Sequence, residues 1–379
     1  MPLIVWPNRY PNHPNDLGFP FPPLASDTVD MARSGRAEQD LLRLCHCGMD
    51  REGVRREVLR ALRRLIPNDA AFLATADPET LLFTGAWPDE PLGTVTQLFL
   101  DNEFGRDDVN KFATLATAAR PVASLDSTTR RDRPASERYR EIMRPLGLGD
   151  ELRSALIAGG QCWGYLCLHR EDHELGFTAT EAATLARVSP HIAQALRNTM
   201  LLPGSPAADP ALRPGVVLLA DDLSTIAMTP EAEHLLSLLE PGQLPLPVAV
   251  YSVAAALRGL ERHPAGPLPS TRVRTRAGPW LNLHASRLAG PPDAAHITVV
   301  AEPVEPRAAV PLMLSAHGLT AREAEVATLV LRGNPTRTIS ATLHISAHTV
   351  QDHLKAVFDK IGVRSRRDLV ALLLSPPPP

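Results

Sequence analysis

The sequence predicts two successive α+β units, each an antiparallel sheet with helices, followed by an all-α unit of four short helices. Three stretches carry that prediction. Residues 154–170, SALIAGGQCWGYLCLHR, read as two β-rich arms around Gly159-Gly160, a pair suited to a tight turn at positive φ. Residues 215–228, GVVLLADDLSTIAM, read as a second hairpin, with Val216–Leu219 and Ile226–Met228 as arms around Asp221-Asp222. Residues 319–374 instead show helical periodicity broken at intervals by capping residues.

Composition bounds the answer. The 379 residues suffice for two or three domains, and a 44% apolar share suffices to fill their cores. A formal charge of −3 and a pI near 6.5 exclude a chain that binds polyanions over its whole surface, so any nucleic-acid contact has to be local. Four cysteines are few for a disulfide framework at this size. No apolar run is long enough to span a bilayer and no basic-then-apolar leader opens the chain, so a cytoplasmic protein without membrane contact is expected.

Residues 1–35 begin with prolines interleaved among aromatic and polar residues, a density that no helix or central strand tolerates. An extended or disordered tail is expected there. The first folded unit is expected over 36–202. It opens with a helix from Ala37 to Cys45 and a second with Val54, Val58, Leu62 and Leu65 on its apolar face. Two strands follow, joined by an Asp77-Pro78 turn, then a helical insert through Phe99, Phe112 and Leu115, a short strand near Val122 and the 154–170 hairpin. Thr178 and Glu181 form a capping box for a closing helix with Leu185, Val188, Ile192 and Leu196 on one side.

The succession GLGDEL, ALIAGGQCWGYLCLHR, FTATEAATLARVSPHIAQAL resembles a GAF domain. The resemblance implies a five- or six-stranded antiparallel sheet and a small-molecule pocket between sheet and insert. Phe72, Phe83, Trp87, Phe104 and Tyr139 are its candidate lining residues, and each is also readable as plain core or surface packing. The sequence names neither a ligand nor a cofactor. No metal is expected. Cys45 and Cys47 point to different faces of a helix, Cys162 and Cys167 to opposite sides of a regular strand, and His169 and His173 lack a ligand-like order.

Residues 203–214 read as a linker. The second unit is expected over 215–304: the 215–228 hairpin, a helix capped by Thr229 and opened by Pro230, a helix over 248–260, a hairpin around Gly278-Pro279 and a last strand in HITVVAEPV. LADDLSTIAMTPEAEHLL resembles a PAS domain. Arg272, Arg274 and Arg276 share one strand face by period two, and a solvated sheet face is the favoured reading. Residues 305–312 read as a second linker and 376–379 as a proline tail.

The last unit, 313–375, is the most specific. Thr320 and Glu323 form a capping box, Gly333 stops the first helix, and Asn334-Pro335 opens a second one carrying Ile339 and Leu343 inward. Ser346 caps a third, and Ser365 with Asp368 a fourth. On the third helix Val350, Leu354, Val357 and Ile361 form one apolar stripe, opposite His348, Gln351, Asp352, Lys355 and Asp359. A lone helix of this kind reads as one with a solvated face. It also suits a major groove, where Gln pairs with adenine, Lys with guanine and Asp with cytosine.

LTAREAEV, LHIS, HTVQDHL and DKIGVRSR resemble the LuxR-type helix-turn-helix of bacterial transcription regulators. The resemblance implies double-stranded DNA as partner, with base contacts on Gln351, Asp352 and Lys355. It places phosphate contacts on Thr349, His353, Arg337 and Arg364. It implies a homodimer with Leu369, Val370 and Leu373 of the fourth helix in its contact, and RNA polymerase as a further candidate partner. Gln351 and Asp352 replace a lysine and a small or apolar residue of the family, and the unit holds eight Arg and Lys against five Asp and Glu. Weaker sequence-independent DNA affinity than that of a relative is therefore expected. The expected function is a DNA-binding transcription regulator controlled by its N-terminal modules. The alternative is an interaction module whose helix-turn-helix no longer binds DNA tightly. No phosphate loop, nucleophile elbow or kinase motif is present, so no enzyme is expected.

Overall fold

A computed structural model describes residues 25–172, 175–202, 212–264, 266–288 and 296–374. The prolines before residue 25, most of the 203–214 stretch, His173 and the terminal proline tail lie outside these residues. The first unit holds helices α1 (Ala25–Cys45) and α2 (Arg51–Leu65), strands β1 (Ala70–Ala76) and β2 (Phe83–Pro88), and helices α3 (Thr96–Gly105) and α4 (Phe112–Thr117). It continues with β3 (Val122–Ser124), α5 (Leu125–Thr129), β4 (Leu148–Ala158), β5 (Gln161–Glu171) and α6 (Ala179–Thr199). The helix expected from Ala37 begins twelve residues earlier, inside the supposed tail, because no proline follows Pro23 before it.

The antiparallel sheet runs β2-β1-β5-β4-β3. Its β4–β5 hairpin turns at Gly159 and Gly160, with φ of 63° and 76°, a left-handed pair that glycine adopts without steric cost. Alternation along each strand divides the side chains between two cores. Leu73, Leu152, Trp163, Leu166 and Leu168 face α1, α2 and α6, whereas Phe72, Ala74, Ala155, Tyr165 and Cys167 face α3 and α4. Cys162 joins Cys167 in that second core, contrary to strict alternation, because a register shift falls between Leu156 and Ile157 opposite it.

The second unit comprises β6 (Gly215–Leu219), β7 (Thr225–Met228), α7 (Pro230–Ser237), α8 (Val248–Arg262), β8 (Ser270–Arg274), β9 (Trp280–Arg287) and β10 (Ile297–Pro303). Its sheet, β7-β6-β10-β9-β8, repeats the spatial order of the first. The two units are not beads on a string. Helix α8 packs on α3 and β2 on one side and on β8, β9 and β10 on the other. Phe83 and Leu100 therefore share one continuous core with Val250, Tyr251, Leu281 and Val299, and the Phe83 amide donates to Ser252 Oγ at 3.0 Å. The arginine face of β8 is likewise a clasp, not a solvated face. Arg272 donates from Nε and Nη2 to Asp77 of the first unit at 2.9 and 2.8 Å, with the Asp77 carboxylate fully buried.

Residues 305–312, expected as a linker, belong mostly to helix α9 (Pro306–Ala316). Pro306 occupies its first position, where the missing N–H is harmless. One face of α9 places Ala309, Leu312 and Ala316 against Trp163, Met200 and Trp280. The other places Val310 and Leu314 in the core of the last four helices, α10 (Ala321–Leu331), α11 (Thr336–Leu343), α12 (Ala347–Ile361) and α13 (Arg366–Leu374). A single helix is thus shared by the two ends of the molecule.

Candidate nucleic-acid interface

Helix α12 is held from both ends and from below. Ser346 Oγ accepts from the Thr349 amide at 3.0 Å, Gly362 ends the helix at φ 79°, and Val350, Leu354, Val357 and Ile361 are buried against α10 and α11. The opposite face carries His348, Gln351, Asp352, Lys355 and Asp359, all exposed, while Thr349 and His353 are half-buried at its flank. The stripe that fixes the helix thereby dictates which side chains it presents. Gln351 Nε2 reaches Thr336 Oγ1 at 3.3 Å, and Arg366 donates to the same hydroxyl at 2.8 Å and to the Asn334 carbonyl at 3.2 Å. His348 and Asp352 sit 3.7 Å apart one turn from each other. Arg337 on α11 and Arg364 before α13 are exposed.

Glu323 closes the Thr320 capping box and accepts from Lys360 Nζ at 2.6 Å, which pins the end of α12 to the start of α10. That ion pair and the Thr320 bonds hold the Glu323 carboxyl below the usual range against its burial. Asn334 does not cap α11, as the sequence suggested. Its side chain and amide both donate to the Leu329 carbonyl at 3.1 Å, closing α10, and Pro335 precedes the first residue of α11. On α13, Leu369 and Leu373 face the domain's own core, so they are not free to form a contact between copies. Val370 and Leu372 face outward, 36% and 51% exposed.

The space between the first sheet and its insert, where a small-molecule pocket was expected, is occupied by charge and rings. Glu151 accepts from Arg138 Nη2 at 2.7 Å and from Arg153 Nε at 2.9 Å, and Arg153 Nη1 reaches Glu103 at 2.8 Å. All four side chains are at most 3% exposed. The Arg153 guanidinium lies 4.3 Å from the Phe112 ring centre, inside a cluster of Phe72, Phe83, Phe99, Phe104 and Tyr165. About 20 Å³ is left, lined by Phe72, Phe99, Arg138, Glu151 and His169 among others, room for about one water. Of the five candidate lining residues, Phe72, Phe83 and Phe104 meet in the ring cluster and Phe72 also borders this cavity, whereas Trp87 lies apart under Arg55. Tyr139 donates its hydroxyl to Asp172 at 3.3 Å.

Sequence reading also missed that Glu151, Cys167 and His169 converge, with ligand atoms within 4.8 Å of one another. The pairing of Glu151 with His169 across β4 and β5 is the signal that could have found them. Two guanidiniums already hold Glu151, and such a setting disfavours a dication. Burial, followed by the neighbouring arginines, outweighs Glu151 and pushes His169 down to about 4. An unfolded histidine binds its proton near pH 6.5. Between that pH and about 4 the unfolded state therefore holds more protons, and stability falls as pH falls, by ~3 kcal/mol over the window. Urea denaturation from pH 7 to 5 should show this slope, and His169→Gln should remove about one proton's worth of it.

Residues 317–373 match the family of bacterial regulatory proteins, luxR family, and residues 50–196 match the GAF domain. The chain thus ends in a LuxR-type helix-turn-helix and carries a GAF domain before it, and both are regulatory modules, not catalytic ones. Transcriptional activator protein ExaE of Pseudomonas putida is 44% identical over 58 residues, 15% of this chain and 27% of that protein. The chain thus spans about a quarter of the length of that curated relative. Among solved structures, Escherichia coli SdiA is 13% identical, with 90% of this chain and 97% of that one covered at a TM-score of 0.32. The phycoerythrobilin-bound GAF domain of a cyanobacterial phytochrome is 12% identical, covering 44% and 96% at a TM-score of 0.32. Among the described residues no helix is long and apolar enough to cross a membrane.

Proposed function

We propose that this chain is a cytoplasmic transcription regulator that reads double-stranded DNA in sequence-specific fashion as a homodimer, with α12 in the major groove. The observation that supports it most is the exposed row Gln351, Asp352 and Lys355 on a helix whose opposite stripe is locked in a core. Thr349, His353, Arg337 and Arg364 flank that row as phosphate partners. Copies would meet through the outward side of α13, at Val370 and Leu372, and read half-sites about one helical turn apart. The GAF unit and the PAS-like unit, which share a sheet order and a core, are the sensory part. Helix α9, packed into both ends, is the element whose two arrangements a signal would bias. Such a signal needs different affinities for the two.

Selection of duplexes from a randomised pool by the full chain tests this reading. A two-fold-symmetric motif is expected, and no enrichment would move the chain to the interaction-module reading. On that motif Lys355→Ala should weaken binding about tenfold or more and relax preference at one base position, the loss of one base contact worth roughly 1–3 kcal/mol. Gln351→Lys should steepen the salt dependence by about one unit if that position meets a phosphate. Titrations at several salt concentrations read both. No change from either substitution would misplace the groove face.

A further inference from the structure

Helix α2 buries Val54, Val58, Ala61, Leu62 and Leu65, so its core side is complete without its arginines. Those lie on the other side. Arg55, Arg56, Arg60, Arg63 and Arg64 line an open groove of about 780 Å³ between α2, the end of β2 and residues 241–243, and Asp89 is the one carboxylate in its lining. Asp89 pairs with Arg63. Glu57 serves both Arg56 and Arg60, at 3.1 and 2.6 Å, and Glu52 lies 3.8 and 3.7 Å from Arg55 and Arg56. Guanidiniums thus outnumber the carboxylates that face them. A second groove of about 510 Å³ continues from Arg55 and Trp87 to Arg51, Arg274 and Arg276, with Asp50, Glu52 and Glu240 also in its lining and Glu240 paired with Arg51 at 3.1 Å. There, burial and the neighbouring Arg51 push Arg274 down to about 10. Arg51, Trp87 and Leu312 line one further cavity, so this end of the track adjoins α9, the helix that carries the DNA-binding domain.

We propose that this arginine track is a second DNA contact, which takes the phosphate backbone of duplex flanking the site read by α12. The inference rests on the DNA-binding reading above. From Arg55 to Arg64 the helix advances about 13 Å, the axial reach of roughly four phosphates on one strand. A row of that length exceeds what one nucleotide needs. It also supplies what the helix-turn-helix lacks, since that domain has only eight cationic against five acidic side chains and presents Asp352 to the groove. Phosphate neutralisation is the larger part of sequence-independent affinity, and here it would come from the sensory unit.

The test uses the full chain and the selected motif in two duplexes, one trimmed to the motif and one with two extra helical turns on each side. Arg60→Ala with Arg64→Ala replaces exposed residues by the best helix former, so the fold is kept. Wild type should bind the long duplex about tenfold more tightly than the short one. The double variant should lose that advantage, with its salt slope on the long duplex reduced by about two, and bind the short duplex as wild type does. Equal affinity of wild type for both duplexes, with Lys355→Ala still impairing each, would overturn this inference alone. A chain that enriches no duplex would overturn both readings. A variant that loses only ATP binding, with its flank dependence intact, would make the groove a nucleotide site and overturn the assignment to DNA.

Discussion

Glu151→Ala is expected to destabilise the first sheet unit by roughly 3–5 kcal/mol, the range for removing one partner of a buried ion pair. Four of its bonds disappear at once, two from Arg138 and one each from Arg153 and Cys167. Arg138 would then keep Asp108, at 3.8 Å, and Arg153 would keep Glu103, while Arg153 Nη2 has no hydrogen-bond partner among the described residues. Two positive charges would thus be left under-compensated where neither is more than 1% exposed. The two guanidiniums hold the Glu151 carboxyl well below the carboxylate range despite its burial, so the glutamate stays charged throughout the neutral region. Glu151→Gln keeps the volume and some of the bonds but not the charge, and should cost less. Denaturation of the three proteins at pH 7 reads the order directly. A loss under about 1 kcal/mol for the alanine variant would mean that water reaches the network.

How much of this was legible in the sequence depended on whether the deciding interaction was local. The capping boxes at Thr178 and Thr320, the turn at Gly159-Gly160 and the α12 stripe all appear as read, because each is settled within a few residues. The ion network was not legible. Glu151 and Arg153 alternate along β4 like any polar face, and only the insert folded over them, with Glu103 and Arg138, turns that face into a core. Arg272 was misread for the same reason, since its partner Asp77 is 195 residues away. Helix α9 was hidden by Pro306 and Pro311, two breakers in six residues. Helix propensity lost there to burial, because the helix fills a gap between two cores. Leu369 and Leu373 had the right character for an interface and the wrong side of the helix.

Gly259→Ala should show that the two sheet units fold as one. Gly259 lies where α8 crosses the end of α3, and a Cβ there would stand 2.1 Å from the Phe104 carbonyl oxygen and 3.1 Å from its carbon. Both atoms are backbone, so no rotamer change relieves the clash. The helices must part. Alanine's better helix propensity returns about 1 kcal/mol, whereas forcing apart a packed crossing costs up to about 3 kcal/mol or more, so a net loss is expected. Because α8 supplies core to both sheets, that loss should not stay local. Trp163 on β5 and Trp280 on β9 are natural probes of the two sheets, with Trp87 on β2 a second one in the first sheet. Hydrogen-exchange protection of the two strands should fall together in the variant, and their unfolding midpoints should move by the same amount. Gly242→Ala, where the nearest atom is 4.0 Å from an added Cβ, is the control that should move neither. If β9 loosened while β5 kept its protection, the shared core would be a contact between two independent domains. Packing through α8 would then not couple one sheet to the other.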